Sequence, residues 1–183
     1  LNGQGIMICG NAGAGKSSLT ASFCLQGANF MTDDVTPIVI QDNKSFILPL
    51  SDRIKLWGDT LNQLGHSIEK LDRIDVESDK FYLPVNERMK SLILIEKIFI
   101  IEINESGRIE AESLNGAGKF AALRNEIYRL EYLQGMPENE KIYFENLVHI
   151  CNNVQVTKVK RPKGIKVKEL VKTIGALILN GDI

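Results

Sequence analysis

Residues 5–26 read GIMICGNAGAGKSSLTASFCLQ, and this stretch decides the fold. It opens with a short apolar run, Gly5–Cys9, whose length and composition predict a buried β-strand. A glycine-rich turn follows at residues 10–15, and residues 16–26 then show the pattern of a helix, with Gly27 placed to end it. Because a second strand signal comes soon afterwards, the alternation of strand, helix and strand favours an α/β fold.

The turn and the start of the helix match the P-loop (Walker A) pattern G-x-x-x-x-G-K-[ST] at every required position. Glycines let the backbone curl so that its N–H groups point at phosphate oxygens, and the following helix adds its positive end. Lys16 reaches the β- and γ-phosphates of a nucleotide, and the Ser17 hydroxyl suits Mg²⁺. The nucleotide-binding residues predicted in this way are Gly10, Asn11, Ala12, Gly13, Ala14, Gly15, Lys16, Ser17 and Ser18.

Two adjacent carboxylates, Asp33 and Asp34, follow the strand signal at residues 29–32. In a parallel α/β sheet, ligands bind beyond the carboxyl ends of the strands, so both carboxylates are expected beside the phosphates. One of them then holds Mg²⁺, directly or through water, and the other accepts the proton of an attacking hydroxyl. The alternative is an Asp-Asp turn or a helix cap without a chemical role. The predicted catalytic residues are therefore Lys16, Asp33 and Asp34.

The remaining sequence predicts further strands and helices around this unit. A hairpin is predicted at residues 35–50, with its turn at residues 41–44. The charged residues 66–90 predict a surface connection or a lid. Further strands are predicted at residues 92–103, 108–114 (pairing back on the preceding strand) and 154–160, and helices at residues 54–64, 120–130, 137–150 and 166–179.

Composition and charge limit the class of protein. The 183 residues are 44% hydrophobic and 25% charged, which is typical of a globular chain and argues against disorder. We expect one domain over residues 1–183, with upstream residues missing because the chain begins at Leu1. The net charge of −1 argues against a nucleic-acid partner. The basic residues 158–172 form either a solvated face, which is the commonest outcome for such a run, or a docking face for an acidic protein or a neighbouring subunit. Scattered cysteines and the lack of a membrane-length apolar run predict a cytoplasmic protein without a membrane partner.

Five other residues are weaker candidates. Trp57 lies on the apolar stripe of the helix predicted at residues 54–64, so we expect it in the core. Asp59 is either a surface residue or a site acid. Lys80 either folds over the phosphates or, more commonly for a lysine, stays solvated. Arg124 and Arg129 either stabilise transferred phosphate charge or flank their helix as exposed positions.

Residues 10–20 and 27–38 resemble the C-terminal domain of the HPr serine kinase/phosphatases. The shared traits are a P-loop, one helix, one strand and then an Asp-Asp pair. The chain is most similar to the broader HPr-kinase-like group of small bacterial kinases, and this resemblance extends more weakly over residues 56–84 and 118–175. It implies a P-loop nucleotide-binding fold of the HPr kinase/phosphoenolpyruvate carboxykinase type, with a mixed sheet and flanking helices.

The resemblance also implies an activity, namely transfer of the γ-phosphoryl group of ATP to a serine or other hydroxyl on a protein, peptide or small molecule. ATP and Mg²⁺ are then required, with Asp33 as the base and Asp34 and Ser17 as metal ligands, although the order within the acid pair can be reversed. True HPr kinases are hexamers, which implies a homo-oligomer. An upstream histidine and a downstream arginine-loop signature are absent, so the resemblance implies neither HPr as the acceptor nor phosphatase activity. The alternative functions are a non-catalytic nucleotide-binding regulatory module and a partner-stimulated nucleotide hydrolase.

Overall fold

The structure, a computed structural model, describes Leu1, residues 3–85 and residues 89–179. Within these residues the chain forms a six-stranded mixed sheet, a separate two-stranded ribbon and five α-helices. The strands are β1 (Gly5–Cys9), β2 (Ile38–Gln41), β3 (Lys44–Ile47), β4 (Arg53–Trp57), β5 (Lys80–Pro84), β6 (Ile93–Asn104), β7 (Glu110–Ser113) and β8 (Gln155–Pro162). The helices are α1 (Lys16–Leu25), α2 (Gly58–Gln63), α3 (Gly116–Asn125), α4 (Pro137–Asn153) and α5 (Val167–Leu179), with a 3₁₀ turn at Leu130–Leu133.

The twelve-residue strand β6 is the centre of the sheet. It runs parallel to β1 along one side and parallel to β8 along the other, and its first residues pair antiparallel with β3. The sheet order is β2-β3-β6-β8-β7, with β1 also beside β6. Because β1, β6 and β8 are parallel, their carboxyl ends meet at one edge of the sheet, which is where ligands bind in α/β folds.

Both faces of β6 are buried. Successive side chains of a strand point to opposite faces, so Ile98 and Ile100 pack with α3 and α4, whereas Phe99 and Ile101 pack with α1 and α5. Each of these four residues is at most 2% exposed. A strand covered on both faces needs a helical layer on each side, and this packing holds α1 against the sheet directly after β1.

The ribbon of β4 and β5 forms a third apolar cluster with α1 and α2. Ile54 and Leu56 of β4 are buried there against Ala21 of α1, together with Leu61 and Phe81. This packing brings the β4–α2 junction next to the first helix. No helix in the described part of the chain combines the length and apolar character needed to cross a membrane.

Much of the predicted secondary structure is confirmed. The first strand and helix, the long strand β6, the strand β8 and the helices α4 and α5 lie where the sequence patterns predicted them. The hairpin of β2 and β3 is also confirmed. Its turn residues Asp42 and Asn43 have φ values of 50° and 57°, as a two-residue hairpin turn requires.

Two predictions around β4 and β5 are wrong. Residues 54–64 are not one helix, because Ile54 and Leu56 are buried with the period of two that a strand requires, and the helix begins only at Gly58. The stretch predicted as a connection or lid contains the strand Lys80–Pro84, which pairs with β4. Residues 86–88 of that stretch lie outside the described residues.

Three further predictions need correction. Residues 29–32 form no strand, because the described chain pairs no neighbouring strand with them. The strand Glu110–Ser113 pairs antiparallel with β8 and not back on β6, since β8 occupies that side of β6. The helix predicted at residues 120–130 spans Gly116–Asn125 instead, and Leu130 belongs to the 3₁₀ turn.

Candidate functional site

The loop between β1 and α1 has the backbone of an anion-binding loop. Gly10, Gly13 and Gly15 have φ values of 128°, 79° and 94°, in the region that favours glycine. A Cβ atom on Gly10 would lie only 2.2 Å from the carbonyl oxygen of Ile101 in β6. Glycine at this position therefore lets the loop approach the central strand closely. The N–H groups in the first turn of α1 lack acceptors within the helix, as at any helix start, and can bind an anion.

Arg161, at the carboxyl end of β8, is hydrogen-bonded to two carbonyl groups of the loop. Its Nε atom donates a hydrogen bond to the carbonyl oxygen of Ala14 (2.7 Å), and Nη2 donates to that of Gly13 (2.9 Å). Nη1 donates to the carbonyl oxygen of Pro162 (3.1 Å), which fixes the guanidinium on its own strand. The guanidinium therefore occupies two carbonyl oxygens of the loop. Sequence reasoning placed Arg161 only in the basic run at residues 158–172 and not at the loop, because 147 positions separate it from Ala14.

Glu126 holds the beginning of the loop. Its carboxylate accepts a hydrogen bond of 2.8 Å from the N–H group of Gly10, and it follows α3 in the chain. Burial raises the pKa of the neighbouring Cys9 thiol to about 12; the charge of Glu126 adds to that rise, and the charge of Lys16 opposes it. Cys9 therefore stays a protonated thiol at neutral pH. The contact between Glu126 and Gly10 joins the two helical layers across the sheet edge.

Lys16 begins α1 and is held on the loop. Its Nζ atom donates a hydrogen bond of 3.0 Å to the carbonyl oxygen of Asn11. This contact is the only one that Lys16 makes among the described side-chain hydrogen bonds and ion pairs, so its ammonium keeps donors for phosphate. If the Lys16 ammonium moves from the carbonyl oxygen of Asn11 to a phosphate, it gains a charged partner.

Asp33 and Asp34 lie in a tight turn rather than at the end of a strand. The hydroxyl groups of Thr32 and Thr36 are hydrogen-bonded across this turn at 2.7 Å. Asp34 has a left-handed backbone with a φ of 56°, and its N–H group donates to Asp33 Oδ1 (3.0 Å). The turn thus presents two adjacent carboxylates in different surroundings.

Lys55, in the middle of β4, contacts both carboxylates. Its backbone N–H group donates to Asp33 Oδ2 (3.0 Å), and its ammonium donates to Asp34 Oδ2 (2.7 Å). Burial raises the pKa of Asp33 above its ordinary value; the hydrogen bond from Lys55 opposes this rise, and the charge of Asp34 adds to it. The hydrogen bond to Asp34 raises the pKa of Lys55. Sequence patterns do not identify Lys55, because they predict a helix at its position.

One cavity of about 170 Å³ brings the predicted residues together. Lys16 and Ser17 of the loop line it, and so do Asp33 and Asp34. Thr20, one turn further along α1, also lines it. We name this space the acidic cavity. The structure places both carboxylates on a cavity that Lys16 and Ser17 also line, and the turn at residues 32–36, not a strand end, carries them.

The donors of the acidic cavity suit Mg²⁺. The Ser17 hydroxyl and the Asp34 carboxylate are hard oxygen ligands, and Mg²⁺ is usually held by one or two carboxylates together with water and substrate phosphates. Across the described residues, no group of three or more His, Cys, Asp and Glu side chains is placed to hold a metal by itself. This donor set fits a metal that arrives with a nucleotide.

A second cavity, of about 250 Å³, also borders the loop. Ser18 lines it from α1, and Trp57 and Asp59 line it from the β4–α2 junction. Trp57 is 51% exposed, so its predicted place in the core is wrong; the buried residues Ile54 and Leu56 face the other way along β4. We name this space the tryptophan cavity.

Two of the weaker candidates, Lys80 and Asp59, lie near the tryptophan cavity. The Nζ atom of Lys80 lies 4.5 Å from the centroid of the Trp57 ring, a cation–π contact between neighbouring strands. The Asp59 carboxylate accepts hydrogen bonds from the N–H group and the hydroxyl of Thr60, at 2.6 and 3.3 Å. Lys80 therefore lies over the indole ring, and Asp59 lines the cavity with one oxygen engaged.

The structure does not bring Arg124 and Arg129 to either cavity. Arg124 lines a groove between α3 and α4, and Arg129 lies over the rings of Tyr128 and Tyr132. The basic run is likewise divided, because Lys158 pairs with Glu102 at 3.0 Å. Within that run, it is Arg161 that contacts the loop, through its hydrogen bonds to Ala14 and Gly13.

Comparison with solved structures gives a likeness in fold. No family model matches the chain, and no curated protein matches it significantly. Among solved structures, the chain is similar to the Hpr(Ser) kinase/phosphatase from Coxiella burnetii, with a TM-score of 0.47 and 14% sequence identity. The alignment covers 97% of this chain and 87% of that chain. At this level of similarity, the likeness adds no argument to the geometry above.

Proposed function

We propose that this chain is an ATP-dependent phosphotransferase of the HPr-kinase-like group, which transfers a γ-phosphoryl group to a serine or other hydroxyl. One observation carries the proposal. The P-loop residues Lys16 and Ser17 line the same cavity as the carboxylates of Asp33 and Asp34. A phosphate-binding loop alone supports nucleotide binding, whereas a loop that shares a cavity with two acids supports group transfer.

The loop binds the polyphosphate. The N–H groups of the first turn of α1 and the ammonium of Lys16 bind the β- and γ-phosphates, with Arg161 holding the loop carbonyls away from the anion. During transfer, the acceptor oxygen forms a bond to the γ-phosphorus, and the bond from that phosphorus to the β–γ bridging oxygen breaks. ADP leaves with the electron pair, and the proton of the acceptor passes to a carboxylate.

The surroundings of the two acids favour Asp33 as the base. Burial raises the pKa of Asp33, and a carboxylate with a raised pKa is the better proton acceptor. Asp34 is the more exposed of the two, and its carboxylate suits Mg²⁺ together with the Ser17 hydroxyl. Bound Mg²⁺ supplies neutralisation of phosphate charge and orientation of the phosphates.

One observation favours a second candidate, a non-catalytic nucleotide-binding module. The ammonium of Lys55 is 2.7 Å from a carboxylate oxygen of Asp34, so one of the two acids already has a cationic partner. If that ion pair persists when a nucleotide binds, the chain holds a nucleotide without transferring its phosphate.

The test measures whether label passes from the γ-phosphate of labelled ATP to an acceptor. The chain is incubated with Mg²⁺, the labelled ATP and a cell extract, and labelled acceptors are separated by electrophoresis. We expect label on an acceptor with the unmodified chain. Asp33→Asn should lower the rate by about 10²- to 10⁴-fold, as expected when a general base is lost, while Mg-ATP still binds.

Asp42→Asn is the matched control, because Asp42 is an exposed residue of the β2–β3 turn, outside both cavities. It should label the acceptor at the unmodified rate. Equal labelling by Asp33→Asn would remove Asp33 from the reaction. Binding of Mg-ATP without any labelled acceptor would favour the regulatory module, and steady phosphate release without one would favour the hydrolase.

A further inference from the structure

The exposed indole of Trp57 lies beside the phosphate-binding loop, in a position that the proposed chemistry does not use. Ser17 and Ser18 of α1 line the same cavity as this ring. The indole is 51% exposed although it ends a strand whose neighbours Ile54 and Leu56 are buried. A large aromatic side chain left open next to a phosphate site offers a flat apolar surface to whatever is attached to the phosphates.

The two cavities differ in chemistry, and both are bordered by Lys16 and Ser17. The acidic cavity carries the two carboxylates, which suit a metal and a hydroxyl acceptor, and the rest of its lining is mostly apolar. The tryptophan cavity carries an exposed aromatic ring together with Asp59, Thr60 and Arg161. A nucleotide with its polyphosphate on the loop must extend its nucleoside to one side, which leaves the other for the acceptor.

From this arrangement we infer that the tryptophan cavity binds the nucleoside of the nucleotide, with the base stacked on Trp57. The inference rests on the proposed function, since it requires the polyphosphate to lie on the loop. Lys80 covers one face of the indole with its ammonium 4.5 Å from the ring centroid, so a stacked base requires the opposite face. The acidic cavity is then left to the acceptor hydroxyl.

Stacking has a characteristic specificity. Every base has a π-face, so stacking strengthens binding without selecting strongly among bases. ATP and GTP should therefore bind within a few-fold of one another, and both should bind more tightly than tripolyphosphate, which has no base. The expected gain is about 10- to 100-fold, the range seen for stacking of one base on an aromatic side chain.

The experiment compares two ligands, Mg-ATP and Mg-tripolyphosphate, by calorimetry with the full chain. Trp57→Ala should weaken Mg-ATP binding about tenfold or more and leave Mg-tripolyphosphate binding unchanged. Trp57→Phe keeps a stacking ring and should restore most of the affinity. Tyr128→Ala removes another exposed aromatic residue, 63% exposed and outside the cavity, and should change neither ligand.

Fluorescence gives a second readout, because Trp57 is the only tryptophan of the chain. Emission should change when Mg-ATP binds and stay constant with Mg-tripolyphosphate. The inference is overturned, with the proposed function intact, if both ligands bind but Trp57→Ala weakens neither or weakens both equally. If the unmodified chain binds neither ligand, the proposed function fails and the inference fails with it.

Discussion

The Nε atom of Arg161 donates a hydrogen bond of 2.7 Å to the carbonyl oxygen of Ala14, which lies 147 residues earlier in the glycine-rich loop between β1 and α1. A second N–H group of the same guanidinium binds the carbonyl oxygen of Gly13. The planar fork of an arginine can hold two adjacent carbonyl groups at once, whereas an ammonium cannot reproduce that geometry. Arg161 of β8, the last strand along the chain, thus holds the loop that follows β1, the first strand.

Arg161→Lys should therefore weaken nucleotide binding although it keeps the charge. We expect the affinity for Mg-ATP to fall by about tenfold, which corresponds to the loss of one or two hydrogen bonds from a charged donor. Lys163→Ala removes a nearby exposed cation and serves as the control. Calorimetry measures both variants. An unchanged affinity in Arg161→Lys would show that the loop keeps its shape without the guanidinium fork.

Local patterns predicted the elements that depend on neighbouring residues. The glycines of the loop, the apolar run of β1 and the turn at Asp42 and Asn43 all act within a few residues, and all are found where they were expected. The same reasoning merged β4 with α2, because Trp57 continues an apolar spacing that suits a helix. Pairing with β5 decides that Arg53–Trp57 is a strand, and this partner is distant in the sequence.

The residues that contact the loop and the acid pair could not be predicted from local sequence patterns. Glu126 and Arg161 contact the loop from positions more than a hundred residues away, and neither belongs to a recognisable motif. Lys55 contacts the acid pair only because β4 packs against α1. Spacing predicts Lys16, Ser17, Asp33 and Asp34 as site residues, whereas the contacts of Glu126, Arg161 and Lys55 with the loop and the acid pair depend on tertiary packing.

The pH dependence of stability tests the burial of Asp33. Its pKa is raised in the folded chain from an ordinary value of 3.8, so between the two pKa values the folded state binds more protons than the unfolded state. The free energy of unfolding therefore decreases as the pH rises through that window. Asp33→Asn removes this penalty and should melt at a higher temperature than the unmodified chain at neutral pH.

The difference should shrink as the pH falls below 3.8, where Asp33 is protonated in both states. Thermal denaturation at neutral pH and near about pH 3 measures it. Asp42→Asn corrects for the removal of an ordinary carboxylate. A lower melting temperature of Asp33→Asn at neutral pH would mean that the hydrogen bonds from Lys55 and Asp34 outweigh burial.

In the proposed function, the ion pair between Lys55 and Asp34 competes with Mg²⁺ for the Asp34 carboxylate. Lys55→Met frees the Asp34 carboxylate and leaves the backbone hydrogen bond to Asp33 in place, so less Mg²⁺ should be needed for half-maximal transfer. Stability should change by no more than about 1 kcal/mol, since the pair is largely exposed. A magnesium titration of the transfer rate measures the effect. An increased requirement for Mg²⁺ would show that Lys55 assists the site rather than shielding it.

Gly10→Ala tests the close approach of the loop to β6. The new methyl group would meet the carbonyl oxygen of Ile101 at 2.2 Å, on a backbone with a φ of 128°. We expect a loss of roughly 1–3 kcal/mol of stability from backbone strain and a similar loss from the clash. Gly118→Ala is the matched control. It lies within α3 with no atom within 4 Å of the added Cβ, and it should stabilise the helix by about 0.5–1 kcal/mol.

The proposed function requires that the loop binds a polyphosphate and that the two acids face it. A crystal structure with Mg²⁺ and a non-hydrolysable ATP analogue tests both requirements. We expect phosphate oxygens on the N–H groups of the first turn of α1 and on Lys16, with the metal held by the phosphates, Ser17 and an oxygen of Asp33 or Asp34. A nucleotide bound elsewhere, or both carboxylates turned away from bound phosphates, would contradict it.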